Sequence, residues 1–565
     1  MRHPLTARAA ATARAVACLF LFFAATAPAA AVTHHVAPGQ NIQQAINNAS
    51  AGDTVALGAG VHTLSAQLVA KSGVTLAGAG AGATTIKFSG GTADRFLHID
   101  GADDVSVNGL TLDGDGSAAS YGVVVANAQR VQVRNVTIRK LGGNAFGPIG
   151  VYLSSNVSDA AIEDSTFEHI GENSFWGSGV RVKGSTRTLI AGNTIAHTGR
   201  GGILANDHAT FLTIRNNTVR DIGLANPTNP DNAGEATPRL GIEVWNQCHD
   251  SIIEDNTVDH YISVDRSSRV AVRRNTIGRA AATTAAFAGL ELVSSNETTV
   301  SDVVFTGNTF VAPAAAGTRN HDLGASISGG GVARHVLFDG NTIDSPGTWG
   351  VQLQAGDGGL AGNLKERFYF LANTLARTRD GDPGPYGQYG DQGAALRLNA
   401  DHGHLADLAI VDNDIIDNAG VALELLNAGR ISDVRFADNT ATGNKTDGPL
   451  SDIGTLPTLA LNVTAPAAFL HGQPTPLSVA FADGRPVNHA LWDLGFGLPL
   501  TGASIEPTFA PSGTPYAVTV IAWDADGNAA HARLHLHAPE PGAAGVFGAA
   551  VFATTCRRSS HRRRR

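Results

Sequence analysis

The sequence predicts an all-β chain wound as a coil, and three observations predict it. A short phrase recurs in which Asn-Thr leads into an apolar residue, at Asn193, Asn217, Asn256, Asn275, Asn308, Asn341, Asn373 and Asn439, with weaker copies at Asn135, Ser165 and Asn413. Most gaps are roughly 24 to 33 residues, a period typical of stacked repeats. A second phrase (small, apolar, any, apolar) precedes most copies, as in Gly179-Val-Arg-Val, Gly241-Ile-Glu-Val, Gly289-Leu-Glu-Leu and Gly350-Val-Gln-Leu. The apolar segments alternate with period two over three to five residues, which marks strands rather than helices.

Taken in order, residues 1–31 place Arg2, Arg8 and Arg14 before an apolar run and end on Ala29-Ala30-Ala31. That is the order of a secretory signal cut before Val32. The spacing over 41–49 predicts a short helix capping the open end of the coil, whose first strand follows Gly52-Asp53. From there each strand pairs in parallel with its counterpart one turn later. Asn is expected at the corners because it tolerates a left-handed backbone, and stacked amides can bond up the ladder. The longest connections, Gly142 to Gly150, Leu224 to Leu240 and Arg377 to Gly393, precede the second phrase and should wall a groove on one side. The coil occupies 32–450 and a linker 451–457. Over 458–538 the texture changes to alternating strands with an Asp-Gly turn, a small β-sandwich. Residues 539–565 contain Pro539-Glu-Pro, an apolar stretch and an Arg cluster.

These features resemble known families. The coil resembles the right-handed parallel β-helix of pectate lyases, polygalacturonases and phage tailspikes, here with about 12–13 turns. Trp492-Asp-Leu-Gly and Trp523-Asp-Ala-Asp-Gly-Asn resemble the polycystic-kidney-disease (PKD) sandwich, a module that generally acts as spacer or weak binder. The tail resembles a PEP-CTERM sorting signal, which implies an exosortase-type processing enzyme, the outer surface of a Gram-negative bacterium, and membrane contact only through that tail.

Composition narrows the partners. A formal net charge of -9 argues against nucleic acid. The three cysteines, Cys18, Cys248 and Cys556, lie in the leader, the coil and the tail, so no disulfide framework is expected, and Cys248 reads as a small buried residue. Paired metal spacing such as His-x-x-x-His is absent, so no zinc site is expected. A monomer is expected.

Stacking the second phrase sends its alternate positions outward in two columns. The middle of these columns gathers Arg181, Lys183, Asn206, Glu243, Trp245, Asp265 and Glu291, with Tyr152 and Gln352 further out, and Arg266 and Arg239 beside them. With the β-helix resemblance, this grouping implies an acidic polysaccharide: cations meet uronate carboxylates and Trp245 meets a sugar face. Two routes stay open. In a hydrolase Glu243 and Asp265 serve as acid and base. In a lyase Lys183 or Arg266 removes a proton, with calcium held by the acidic side chains. The catalytic signatures of polygalacturonases, pectate lyases and mannuronan epimerases are not intact, so a non-catalytic polysaccharide-binding or scaffold protein is the alternative.

Overall fold

The computed structural model describes residues 30–537, apart from 89–92, 116, 143–146, 173, 175, 223–239, 279–287, 296–297, 311–322, 357–362, 380–392, 448–449, 467–468 and 513, together with the backbone of 550–553. The leader, Arg239 with its loop, most of the 377–393 connection and most of the tail lie outside the described residues.

The chain is a right-handed parallel β-helix. Three strands per turn build three parallel sheets of fifteen, thirteen and fourteen strands, in line with the expected 12–13 turns plus extra strands at the ends. One turn runs through Ser178–Lys183 in the second sheet, Leu189–Ala191 in the first and Thr194–Thr198 in the third. Inward positions such as Val180, Val182, Ile190 and Ile195 are fully buried and form one continuous core along the coil. The helix Ile42–Asn48 covers the open end as expected. Asn41 accepts from the Gln44 amide at 2.9 Å, and Ile42 and Ile46 are buried. No helix among the described residues is long and apolar enough to cross a membrane.

The Asn phrase is a buried amide ladder from Asn193 to Asn439, now including Asn413. In each step the side-chain oxygen of one Asn accepts the backbone and side-chain N–H groups of the Asn one turn before; Asn275 and Asn308 do this at 3.0 Å for both bonds. The same side chain also donates to a carbonyl of an earlier turn, as Asn275 does to Ile253 at 3.0 Å. The expected reason for Asn was wrong in one respect. The left-handed residue is the one immediately before it: Asn216, Asp255, Arg274 and Ala372 have φ between 51° and 56°. The ladder Asn is there for its two-sided amide. Asn135 lies at such a left-handed corner (φ 50°) and is not a ladder member; Val136 holds the ladder position in its turn, donating to Ser165 Oγ.

Glycine in the second phrase has a packing cause. A Cβ on Gly289 would stand 1.6 Å from the Phe310 ring, and one on Gly241 would stand 2.0 Å from Val258. Those large third-sheet side chains fill the space under the second sheet. Cys248 is buried as expected, and burial pushes its thiol up to about 12.

Residues 461–536 form two antiparallel sheets with a separate core around Trp492 and Phe509. Ala550–Ala553, from the apolar stretch of the tail, adds a strand beside Leu461–Ala465. The sandwich packs on the flank of the coil. Leu491, Ile521 and Trp523 pack on Ala271, Val304, Leu337, Tyr369 and Ala409, one outward column of the first sheet. On the next column, buried Arg273 pairs with Asp493 at 2.7 Å, Thr306 donates to Asp493 at 2.6 Å, and Asp339 accepts from Thr519 at 2.9 Å and from Arg533.

Candidate functional site

The second sheet presents its outward columns in the register expected from sequence. Tyr152, Arg181, Leu204, Glu243, Ser263, Glu291, Ser326 and Gln352 stand one above another. Lys183, Asn206, Trp245, Asp265 and Val293 form the neighbouring column. Glu243 and Glu291 are therefore two turns apart on one column, ~9.6 Å between backbones at ~4.8 Å per turn. Asp265 projects from the turn between them on the adjacent column.

The environment changes what these carboxyls are. Leu204, the outward residue just below Glu243, is itself buried and packs with Leu240 and Tyr261 into a small apolar patch. Burial raises Glu243 from 4.5 to about 7 against the pull of Arg200, Arg181 and Arg266, and the Asp265 charge pushes the same way as burial. Glu291 also rises to about 7, chiefly by burial, with the charges of Asp265 and Glu243 adding to it. The Ser263 hydroxyl donates to Glu291 at 2.6 Å, which opposes the rise. Asp265 is raised by burial too, but Arg266 donates to it at 3.0 Å and restrains the shift. Both glutamates keep part of their surface open to the groove.

Around the carboxyls lie cations on aromatic faces. Arg266 covers the Trp245 ring at 5.1 Å, and Trp176 carries Arg200 at 5.1 Å and Arg181 at 5.7 Å. Further along the column Tyr152 stacks on Tyr121 at 6.1 Å, with Arg95 over Tyr121 at 5.6 Å. Lys183 sits 3.4 Å from Asp207, which also takes hydrogen bonds from Asn206 and Asn246. Gln352 lies toward the other end, buried and donating to Gln354 at 2.6 Å.

The structure thus brings together Arg181, Glu243, Trp245, Asp265, Arg266 and Glu291. It sets Lys183 and Asn206 in a separate network and leaves Tyr152 and Gln352 as outlying positions on the same face. Two base candidates change standing: Lys183 is held by Asp207 and Arg266 by Asp265, so each cation already has its anion. Sequence reasoning gave Glu291 no catalytic role and singled out neither Arg200 nor Trp176 nor Ser263. Arg200 and Trp176 lie just ahead of the groove strands Gly201–Asn206 and Ser178–Lys183, in short connections outside the three long ones expected to carry function.

The family model described as a right handed beta helix region matches residues 96–259 and 150–343, a span that contains every groove residue from Tyr121 to Glu291. The A-module of a mannuronan C-5 epimerase from Azotobacter vinelandii is 18% identical, covering 71% of this chain and 94% of that one at a TM-score of 0.43. An alginate lyase from Paenibacillus sp. is 20% identical over 49% of this chain and 95% of its own, with a TM-score of 0.39. The catalytic unit of a thermostable α-1,3-glucanase from Streptomyces thermodiastaticus is 16% identical over 69% and 70%, with a TM-score of 0.40. These likenesses concern the winding of the chain. No curated protein matches the sequence.

Proposed function

We propose that this chain is an extracellular enzyme that hydrolyses an acidic polysaccharide lying along the second sheet. The observation that carries the reading is the pair Glu243 and Glu291: two carboxyls on one outward column, both lifted to about 7, with cations and indole faces beside them. Burial holds both carboxyls near neutrality on a face lined with cations and indoles, and a carboxyl that titrates there can give or take a proton at neutral pH.

The roles follow from the neighbours. Arg200, Arg181 and Arg266 favour the ionised form of Glu243, so Glu243 is the base that activates water. The nearby charges of Asp265 and Glu243 favour the protonated form of Glu291, so Glu291 is the acid that protonates the leaving oxygen. Backbones two turns apart, at ~9.6 Å, leave room for a water between the two side chains, as an inverting pair requires, and inversion at the anomeric carbon is the outcome this reading expects. Arg181 and Arg200 answer to uronate carboxylates, and Trp245, Trp176 and the Tyr121–Tyr152 stack to sugar faces. Export through the leader and sorting through the tail belong to the same proposal.

Incubating the purified chain with a panel of uncharged and uronate-containing polysaccharides tests it. New reducing ends from an acidic polymer support the reading. Products with the ultraviolet absorbance of an unsaturated uronate would assign β-elimination instead. Binding with no product would leave a non-catalytic binding protein.

A further inference from the structure

The corner leaving the second sheet carries a repeated ion pair. Asp104 and Arg130, Asp159 and Arg187, and Asp250 and Arg269 all have left-handed backbones, and in each pair Arg meets the Asp of the turn before at 2.6 Å. The next pair in the column, Asp302 and His335, again has both residues left-handed (φ 60° and 55°), but imidazole replaces guanidinium. Here, and at none of the three Asp–Arg pairs, the sandwich reaches over: His489 Nε2 lies 2.9 Å from Asp302 Oδ1, while His335 Nδ1 lies 3.9 Å from the same oxygen. One ligand atom from each of the three side chains falls within 4.8 Å of the other two.

We infer that Asp302, His335 and His489 form a divalent transition-metal site, of the zinc class, that clamps the sandwich onto the β-helix. Two imidazoles and one carboxylate are a donor set suited to zinc, with a fourth position left for water. Ligands ~2.0–2.1 Å from a tetrahedral ion lie ~3.3 Å from one another, between the two separations seen here. The carboxylate is already aimed, because Ser301 Oγ donates to Asp302 Oδ2 at 2.8 Å and leaves Oδ1 toward the imidazoles. The two rings lie parallel at 3.7 Å and also contact Trp523. Ion binding tilts each ring about its χ2 so that its lone pair meets the metal. Arg367, 3.4 Å from His335 Nε2, then turns its N–H groups to Asp407, which it already approaches at 3.6 Å. The spacing 302, 335, 489 has no local motif, so only the docked fold assembles the set.

Zinc and cobalt titrations of the metal-stripped full chain test the inference. One zinc per chain should bind, raise Tm, and in its cobalt form give the visible bands of a tetrahedral ion. His489→Ala and His335→Ala should each weaken zinc by ~100-fold or more and abolish the Tm response, while His169→Ala, at a distant surface His pair, should change neither. Should an alanine variant fail to fold, His489→Gln, which keeps a side-chain amide beside Asp302, replaces it. Absence of saturable binding, or binding unchanged in the His335 and His489 variants, overturns the site.

Discussion

At Glu243 the energetics of one side chain link stability to pH. An unfolded glutamate releases its proton near 4.5, whereas this one and Glu291 keep theirs to about 7. Between those values the native chain binds more protons than the unfolded chain, so each group makes stability fall as pH rises. Glu243→Gln should therefore melt higher than wild type at pH 8 and equally at pH 4, in thermal scans at both. A Tm lowered at pH 8 would show that Glu243 is a stabilising anion and not a desolvated acid. Activity should follow a bell centred near neutrality, its limbs belonging to the pair rather than to either residue. Lys183→Gln should change turnover by less than about tenfold, because its charge is spent on Asp207 and it lies outside the carboxyl cluster.

The turn is the repeating element, and its stability rests on the amide ladder. Asn275→Ala would leave the Ile253 carbonyl, the Asn256 amide and the Asn308 side-chain oxygen each short of a buried bond. A loss of about 2–4 kcal/mol is expected, read as an earlier midpoint in urea. Asn135→Ala, at an exposed corner outside the ladder, should cost about 1 kcal/mol or less. This element was largely legible in the sequence, because period-two strands and a recurring Asn-Thr can stack in only one way. The register of the groove columns followed from it, residue by residue. What the phrase could not reveal is which neighbour supplies the left-handed corner, since Asp255, Arg274 and Ala372 share no residue type. Nor could it show that Glu291 is as desolvated as Glu243, a property set by packing from other turns. Asp265 looked the better partner on spacing alone, but the chain's own Arg266 holds it.

The molecule as a whole is a coil with a sandwich fixed to its flank. The footprint could have been read: the first-sheet strands Val303-Val304-Phe305, Val336-Leu337-Phe338 and Phe368-Tyr369-Phe370 are apolar on both faces, whereas earlier ones such as Gln132-Val133-Arg134 alternate. A strand apolar on both sides is covered on both sides. Arg273→Ala removes the cation from a buried pair and strands Asp493, at about 3–5 kcal/mol. Limited proteolysis should then release the sandwich while leaving the coil intact; an unchanged digest would mean that the apolar column alone holds it.

The claim that organises all three scales is that Glu243 and Glu291, two turns apart on one column, act together. Proton NMR of the first products from the best acidic polysaccharide reads it most directly. The account predicts inverted anomers from wild type, and initial rates lowered by about 10²-fold or more in both Glu243→Gln and Glu291→Gln. Retained anomers, or a rate that survives either substitution, contradict it.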